Sequence, residues 1–327
     1  MILLLSSSDD VNLDHVIDWL KFHRHEHLRL NADDLMEEPL HLSLHPAQLT
    51  FRRKAVDLDS VGIVWLRKFG NFHRSRYHAR AATRLRRDSL VQLQREHASI
   101  LSALTALLDD KRWLTHPSRV RVNKLDMLLR ARQCGMSTPE THVLNRKDDL
   151  ARLLAQGEYI SKSIYEPLFL KEPDGLYSMF TRAIEPEEAR RVGEHFFPSL
   201  VQRKVDKEYE LRVFYLDGEC HAMAIFSQKS EGTALDFRKI DWTRPTRTVP
   251  YALPERLESA IQRFMRSLGL NCGSLDIIKS TDGDYYFLEV NPTGQFGMVS
   301  YPCNYSLYEK IAQYLIAHDL RPQEVHR

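Results

Sequence analysis

The chain has 327 residues, of which 43% are hydrophobic and 28% charged, with a formal net charge of +2. This composition is that of a globular protein with a sizeable core, long enough for two or three domains or one large α/β enzyme, and the near-zero balance argues against nucleic acid as the partner. Cys134, Cys220, Cys272 and Cys303 show no CxxC or Cys/His zinc spacing, so they read as free thiols in a reducing, cytoplasmic compartment. The start, MILLLSSSDD, lacks the basic region and length of a signal peptide, and no apolar run approaches a membrane span.

Residues 2–5 form an apolar run followed by serines and aspartates, which reads as a buried parallel strand and a polar loop. Val11–Phe22 has helical spacing, with Val16, Ile17 and Leu20 on one face, and residues 28–30 and 61–66 read as further strands. Strands alternating with helices point to a small α/β domain at the N-terminus. No GxGxxG follows any of these strands, so dinucleotide binding is not supported. Residues 67–87 are the marked basic block, with Arg67, Lys68, Arg74, Arg76, Arg80, Arg84, Arg86 and Arg87 and no acid before Asp88. Such a run is either a solvated face or a docking surface for carboxylate or phosphate groups. A helical stripe follows over residues 85–108, and His97 on it reads as a core histidine rather than a ligand.

Pro117 breaks the chain. Asn123 then reads as a helix cap, Leu125, Leu128 and Leu129 as the helix's apolar stripe, and Gly135 as its stop, with a strand after Pro139. Lys124 falls in the first turn of this helix, where the dipole disfavours a cation unless a phosphate lies nearby. Residues 158–165 read as a strand carrying Lys162, residues 186–196 as a helix, and residues 200–205 as a strand. A hairpin follows, 211–216 and 220–226 about Asp217-Gly218. Glu208 and Glu210 beside Lys207 are compatible with a surface ion-pair cluster. The long polar loop to Thr248 carries Asp236 and Arg238. An amphipathic helix with Leu257, Ala260, Ile261, Phe264 and Leu268 precedes the last sheet, and one with Leu307, Ile311, Tyr314 and Leu315 ends the chain.

The stretch GSLDIIKSTDGDYYFLEVN, from Gly273 to Asn291, carries the chemistry. Two β-type runs, 274–279 and 285–290, flank Asp282-Gly283, a strong hairpin signal. A two-residue turn there sets Asp276 directly opposite Glu289, with Asn291, Ile278 and Phe287 on the same face. Opposed carboxylates repel, and with no basic residue opposite them the pattern suits a hard divalent cation such as Mg²⁺.

The ordered set of Lys124, Lys162, Gln202-x-Lys204-Val205, Glu210-Leu-Arg212, Asp276 and Glu289-x-Asn291 resembles the ATP-grasp superfamily, from about Val122 onward. The tail LEVNPTGQFGMVSYPCNYSLYEKIAQYL, with ELRVFYLDG and VWLRKFG, is similar to peptide-modifying ligases of that superfamily, the graspetide maturases, and within them to the grasp-with-spasm group. The resemblance implies an α/β ATP-grasp fold of α+β lobes: a Rossmann-like pre-ATP-grasp domain over residues 1–118, a central lobe over 119–200 and a C-terminal lobe over 201–327, with the nucleotide between the last two. It implies ATP and two Mg²⁺ ions. Lys124 and Lys162 would hold the phosphates, Gln202, Lys204 and Val205 the adenine, and Glu208 the ribose. Arg212, with Arg238, would face the acyl phosphate, and Asp276, Glu289 and Asn291 the metals. The implied partners are a precursor peptide with a leader segment and a radical SAM/SPASM protein; a homodimer is compatible, nucleic acid and membrane are not expected.

Two departures stand out. Residues 165–178 offer only Gly175 where many members have a glycine-rich loop, and Ser274 stands where some ligases carry an arginine. The alternatives are an ATP-grasp ligase that adds amino acids to a protein tail or joins small molecules, and an inactive, nucleotide-regulated peptide-binding module.

Overall fold

The structure is a computed structural model that describes residues 1–70, 72–165, 169–172, 175–178, 181–227 and 246–319. The chain divides into two compact units. One comprises Met1–Val120, Leu270–Cys272 and Pro292–Arg327, the other Arg121–Gly269 and Gly273–Asn291.

In the first unit Ile2–Ser6 is buried along its whole length. It lies between His27–Asn31 and Ile63–Leu66, parallel to both, and Arg112–Leu114 extends the sheet. A parallel strand covered on both faces has no polar side, hence the unbroken apolar run. Val11–Phe22 has the bounds its spacing predicts and buries Leu13, Val16, Ile17 and Leu20. A separate antiparallel meander, Leu40–Ser43, Gln48–Phe51 and Lys54–Asp57, has strands of only four residues each, and Leu49, Phe51 and Val56 are its buried side. In the helix Arg87–Leu107, His97 is 5% exposed and its Nε2 lies 3.4 Å from the Ala32 carbonyl. Burial holds its pKa below the ordinary histidine value, as a core histidine requires.

The basic block is not one surface. Arg67 is only 4% exposed and pairs with buried Asp10, so it is no docking residue. Helix Arg76–Ala82 buries nothing, and Arg80 pairs with Glu37 at 2.9 Å.

Among the described residues the second unit holds an antiparallel pair, Phe169–Glu172 with Gly175–Ser178, and two larger sheets. The smaller of these two runs Arg182–Ala183, Tyr159–Lys162, His195–Arg203, Thr141–Arg146. Its core brings together Leu150 of helix Lys147–Leu154, Ala189 of helix Pro186–Arg191, Tyr159 and Val201. The expected helix over 186–196 stops at Arg191 and a strand starts at His195. Phe196 and Phe197 are good strand formers, and Pro198 cannot continue a helix. The larger sheet runs Arg247–Tyr251, Glu219–Phe226, Lys207–Leu216, Cys272–Ser280, Tyr285–Asn291. Leu216 pairs with Glu219 around Asp217 and Gly218, both at positive φ, as a two-residue hairpin turn demands. Helix Glu255–Ser267 buries Leu257, Ala260, Ile261, Phe264 and Met265, and the Phe264 ring centroid is 4.8 Å from that of Phe287. Among the described residues no helix is long and apolar enough to cross a membrane.

Candidate functional site

Asp276 pairs with Glu289, and Ser274 with Asn291, so period-two alternation puts the three candidate ligands on one face. The route to that register differs from the expected one. Lys279 pairs with Tyr285, leaving three residues, Thr281-Asp282-Gly283, in a loop closed by Ser280 N–H to the Asp284 carbonyl at 2.9 Å, with Gly283 at φ 96°. Glycine takes that left-handed position without steric cost. A bulge then leaves Leu288 unpaired and restores the register before Glu289. The bulge also overturns one expectation. Phe287 pairs with Ile277, each 1% exposed, and both face helix Glu255–Ser267 rather than the carboxylates. Ile278 remains on the carboxylate face, opposite Tyr286.

The expectation that no basic residue stands opposite is likewise corrected. Arg212, on the strand beside Cys272–Ser280, donates from Nη1 to Asp276 Oδ1 at 2.6 Å. Lys124 Nζ lies 3.4 Å from Glu289 Oε2 and donates to the Ser163 carbonyl at 3.3 Å. Two carboxylates and two cations thus balance on one patch. Glu289 accounts for a lysine at the positive end of helix Lys124–Gln133.

Local structure fixes that lysine. Asn123 caps the helix, its side-chain oxygen accepting from Leu125 N at 2.8 Å and Asp126 N at 3.2 Å. The helix buries Met127, Leu128 and Ala131, whereas Leu129, expected in the stripe, is 63% exposed. It packs against Tyr285–Asn291, and the segment after it continues onto that strand, where Phe287 N–H donates to the Ser137 carbonyl at 2.9 Å. Asn123→Ala is expected to cost about 1 kcal/mol of stability, read as a lower urea midpoint.

Lys162 ends the strand Tyr159–Lys162 and pairs with Leu200. Ser163, its neighbour, accepts from Lys124 Nζ at 3.3 Å, so the Lys124 amine lies at the end of the strand that carries Lys162. Two residues beyond Leu200, Gln202 is fully buried. Its Nε2 donates to Thr141 Oγ1 at 2.8 Å, while its Oε1 has no hydrogen-bond partner among the described residues. Lys204 pairs with Glu158 at the surface, and that hydrogen bond raises its pKa. Val205 is half-buried and Glu208 exposed. Glu210 is the residue that sequence reasoning undervalued. It is 8% exposed, ion-paired with Lys207, and two residues from Arg212 on the same strand face. The alternation Glu210-x-Arg212 was the available signal. Asp236 and Arg238 lie outside the described residues.

Asp276, Glu289 and Asn291 offer two carboxylates and an amide oxygen. These hard donors fit Mg²⁺, which keeps several positions for water or phosphate. Among the described residues no group of three or more His, Cys, Asp or Glu could hold a metal.

No family model matches the chain, and no curated protein matches it. Solved structures do. The macrocyclase MdnC bound with precursor peptide MdnA, from Microcystis aeruginosa MRC, superposes with a TM-score of 0.82 at 23% identity, covering 97% of this chain and 99% of that one. A RiPP-associated ATP-grasp ligase from Chryseobacterium gregarium, in complex with ADP and a leader and core peptide, gives 0.82 at 22% identity over 97% and 96%. The ATP-grasp ligase PsnB, complexed with a phosphomimetic variant of its minimal precursor, Mg and ADP, gives 0.79 at 18% over 98% of each chain. Likeness at this level over essentially the whole chain establishes architecture: this chain has the ATP-grasp fold, in the form found in RiPP ATP-grasp ligases and macrocyclases.

Proposed function

We propose that the chain is an ATP- and Mg²⁺-dependent carboxylate ligase that crosslinks side chains of a ribosomally made precursor peptide, a graspetide maturase. The observation that carries this reading is the paired arrangement of Asp276 with Arg212 and Glu289 with Lys124. Every anion that a metal would take is held by a cation that a phosphate would take. A metal-bound triphosphate can satisfy both sets at once, because its oxygens suit lysine and arginine while its metal suits the carboxylates. Mg²⁺ alone would have to compete with Lys124 and Arg212 for the carboxylates.

In this reading Lys124 and Lys162 hold the phosphates, and Gln202, Lys204 and Val205 line the adenine end. Glu208 meets the ribose. Asp276, Glu289 and Asn291 would hold two Mg²⁺ ions, which would neutralise phosphate charge. Arg212, with Arg238, faces the transferred phosphoryl group. A peptide Asp or Glu oxygen attacks the γ-phosphorus and ADP leaves. A Thr or Ser hydroxyl, or a Lys amine, then attacks the acyl carbon and phosphate leaves. Little covalent chemistry falls to the protein, so positioning and charge neutralisation supply the rate. The division at residues 118 and 200 into a pre-ATP-grasp domain and two gripping lobes belongs to the same proposal. So do a leader-bearing peptide, a radical SAM/SPASM partner, a homodimer and a cytoplasmic location, the last in keeping with four free thiols. The structural likeness to ligases solved with precursor peptide and ADP supports it.

The test is co-expression with the small open reading frame beside the gene, followed by mass spectrometry. The expected product has lost one water per linkage. An unchanged peptide mass, with ADP released only on addition of free amino acids or other small acids, would move the assignment to a small-molecule or tail-adding ligase. No nucleotide turnover with either would favour an inactive binding module.

A further inference from the structure

The later part of the basic block has no place in the proposed chemistry. Residues 82–89, which span the turn between helix Arg76–Ala82 and helix Arg87–Leu107, are all exposed. Arg76, Arg84, Arg86 and Arg87 are exposed too, and among the described residues none of the four makes an ion pair. Arg80 shows what an arginine does here when an acid is in reach: its Nη2 donates to Glu37 Oε2 at 2.9 Å. Beside the free arginines, Leu85 and Val91 are 43% and 38% exposed.

This arrangement works against the stability of its own unit. Arg76 and Arg80 are four residues apart on one helix, where like charges repel. Arg86 and Arg87 stand at the positive end of helix Arg87–Leu107, where the dipole disfavours a cation. A short helix in a protein is held mainly by the face that it buries, yet no residue of Arg76–Ala82 is buried. A polar anchor holds its start: Ser75 Oγ accepts from His78 N at 3.0 Å and donates to the Phe72 carbonyl at 2.8 Å.

Unpaired guanidinium groups match carboxylate or phosphate through their planar fork. Single-stranded nucleic acid needs aromatic faces for its bases to stack on, and the rings over residues 76–91, Tyr77 and His78, are both half-buried. A membrane surface needs large apolar side chains along one helix face, whereas helix Arg76–Ala82 has only alanines besides Tyr77. A second copy meeting this face across a two-fold axis would set arginine against arginine, because such a contact is self-complementary and Asp88 is the only acid over residues 76–91. An acidic peptide meets all of these conditions: its carboxylates take the arginines, and its apolar side chains cover Leu85 and Val91.

We propose that the surface carrying Arg76, Arg84, Arg86 and Arg87 docks an acidic segment of a partner polypeptide. It lies wholly in the first unit and uses none of the nucleotide or metal residues, so the docking stands or falls apart from the ligase reading.

The experiment is fluorescence anisotropy of a fluorescein-labelled peptide of alternating glutamate and alanine, and of its glutamine counterpart, titrated with the full-length protein. Wild type should bind the glutamate peptide, more weakly as salt rises, and not the glutamine one. The fourfold variant Arg76→Gln, Arg84→Gln, Arg86→Gln, Arg87→Gln should weaken binding about 10-fold or more, the summed effect of four exposed charge pairs. The same charge change on scattered exposed arginines, Arg24→Gln, Arg53→Gln, Arg190→Gln, Arg191→Gln, should stay within about 2-fold, because distant surface charges are screened. Arg84→Glu decides with the same readout if the fourfold variant does not fold. A wild type that ignores the glutamate peptide, equal binding of the glutamine peptide, or equal losses in the clustered and scattered variants would overturn the docking role. Tighter binding of an equally charged single-stranded DNA or of phosphatidylserine vesicles, lost in the fourfold variant, would overturn the peptide in favour of nucleic acid or membrane. A wild-type dimer in light scattering that the fourfold variant breaks would overturn it in favour of contact between copies.

Discussion

Glu289→Gln is expected to lower peptide-dependent ADP release by at least about 100–1,000-fold at saturating Mg²⁺, the loss typical when a group aimed at transition-state charge is removed. The substitution keeps volume and removes only charge. Glu289 stands opposite Asp276 and 3.4 Å from Lys124, so the change deletes a metal ligand and leaves Lys124 without its carboxylate. The stability effect should be small. The side chains of Lys124 and Glu289 are 18% and 28% exposed, and solvent screening limits such a pair to about 0–1 kcal/mol. A collapse of activity beside a nearly unchanged urea midpoint would mark Glu289 as functional. Turnover within a few-fold of wild type would remove it from the metal set.

Phe264→Ala is expected to show the largest loss of stability, about 3–5 kcal/mol. The side chain is fully buried in the last turn of helix Glu255–Ser267, with Phe287 edge-on to it at 4.8 Å. Phe287 lies on the far face of the hairpin that carries Glu289, one residue before the bulge. Removing its support empties the space behind the register shift that aligns the two carboxylates. Urea unfolding followed by fluorescence or circular dichroism gives the measurement. A cost below about 1 kcal/mol would mean that the site collapses around the gap and that the hairpin does not lean on this ring.

Local features were legible. Val11–Phe22 and the Asp217-Gly218 hairpin follow from spacing and turn chemistry alone, and Asn123 caps its helix as its residue type predicts. The Asp276–Glu289 pairing was reached for an incomplete reason. A three-residue loop and an unpaired Leu288 displace the register in opposite senses, and nothing in Phe-Leu-Glu-Val announces a bulge. The side of the sheet that Phe287 occupies was therefore misjudged. Long-range pairing was not legible at all. Lys124 meets Glu289 across most of the second unit's sequence, and Arg67 meets an aspartate 57 residues earlier. Counting charges along a chain cannot separate a buried, forked arginine from solvated neighbours such as Arg80. Only the fold decides which carboxylate each cation finds.

The order in which the chain visits its two units bears on synthesis. The first unit is left after Val120, revisited at Leu270–Cys272, and finished only from Pro292 onward. Phe296 and Tyr308, which pack with Trp65, Arg67 and His15, emerge from a ribosome after both segments of the second unit. Domains ordinarily fold as units during translation, N-terminal first. Here the first unit must wait, with the Arg67 guanidinium lacking its carbonyl partners at Thr293 and Gly294, until the segment from Pro292 onward is made. A ribosome that stalls at residue 120 or 269 would hold an open core, and no single cut in the gene separates one unit from the other.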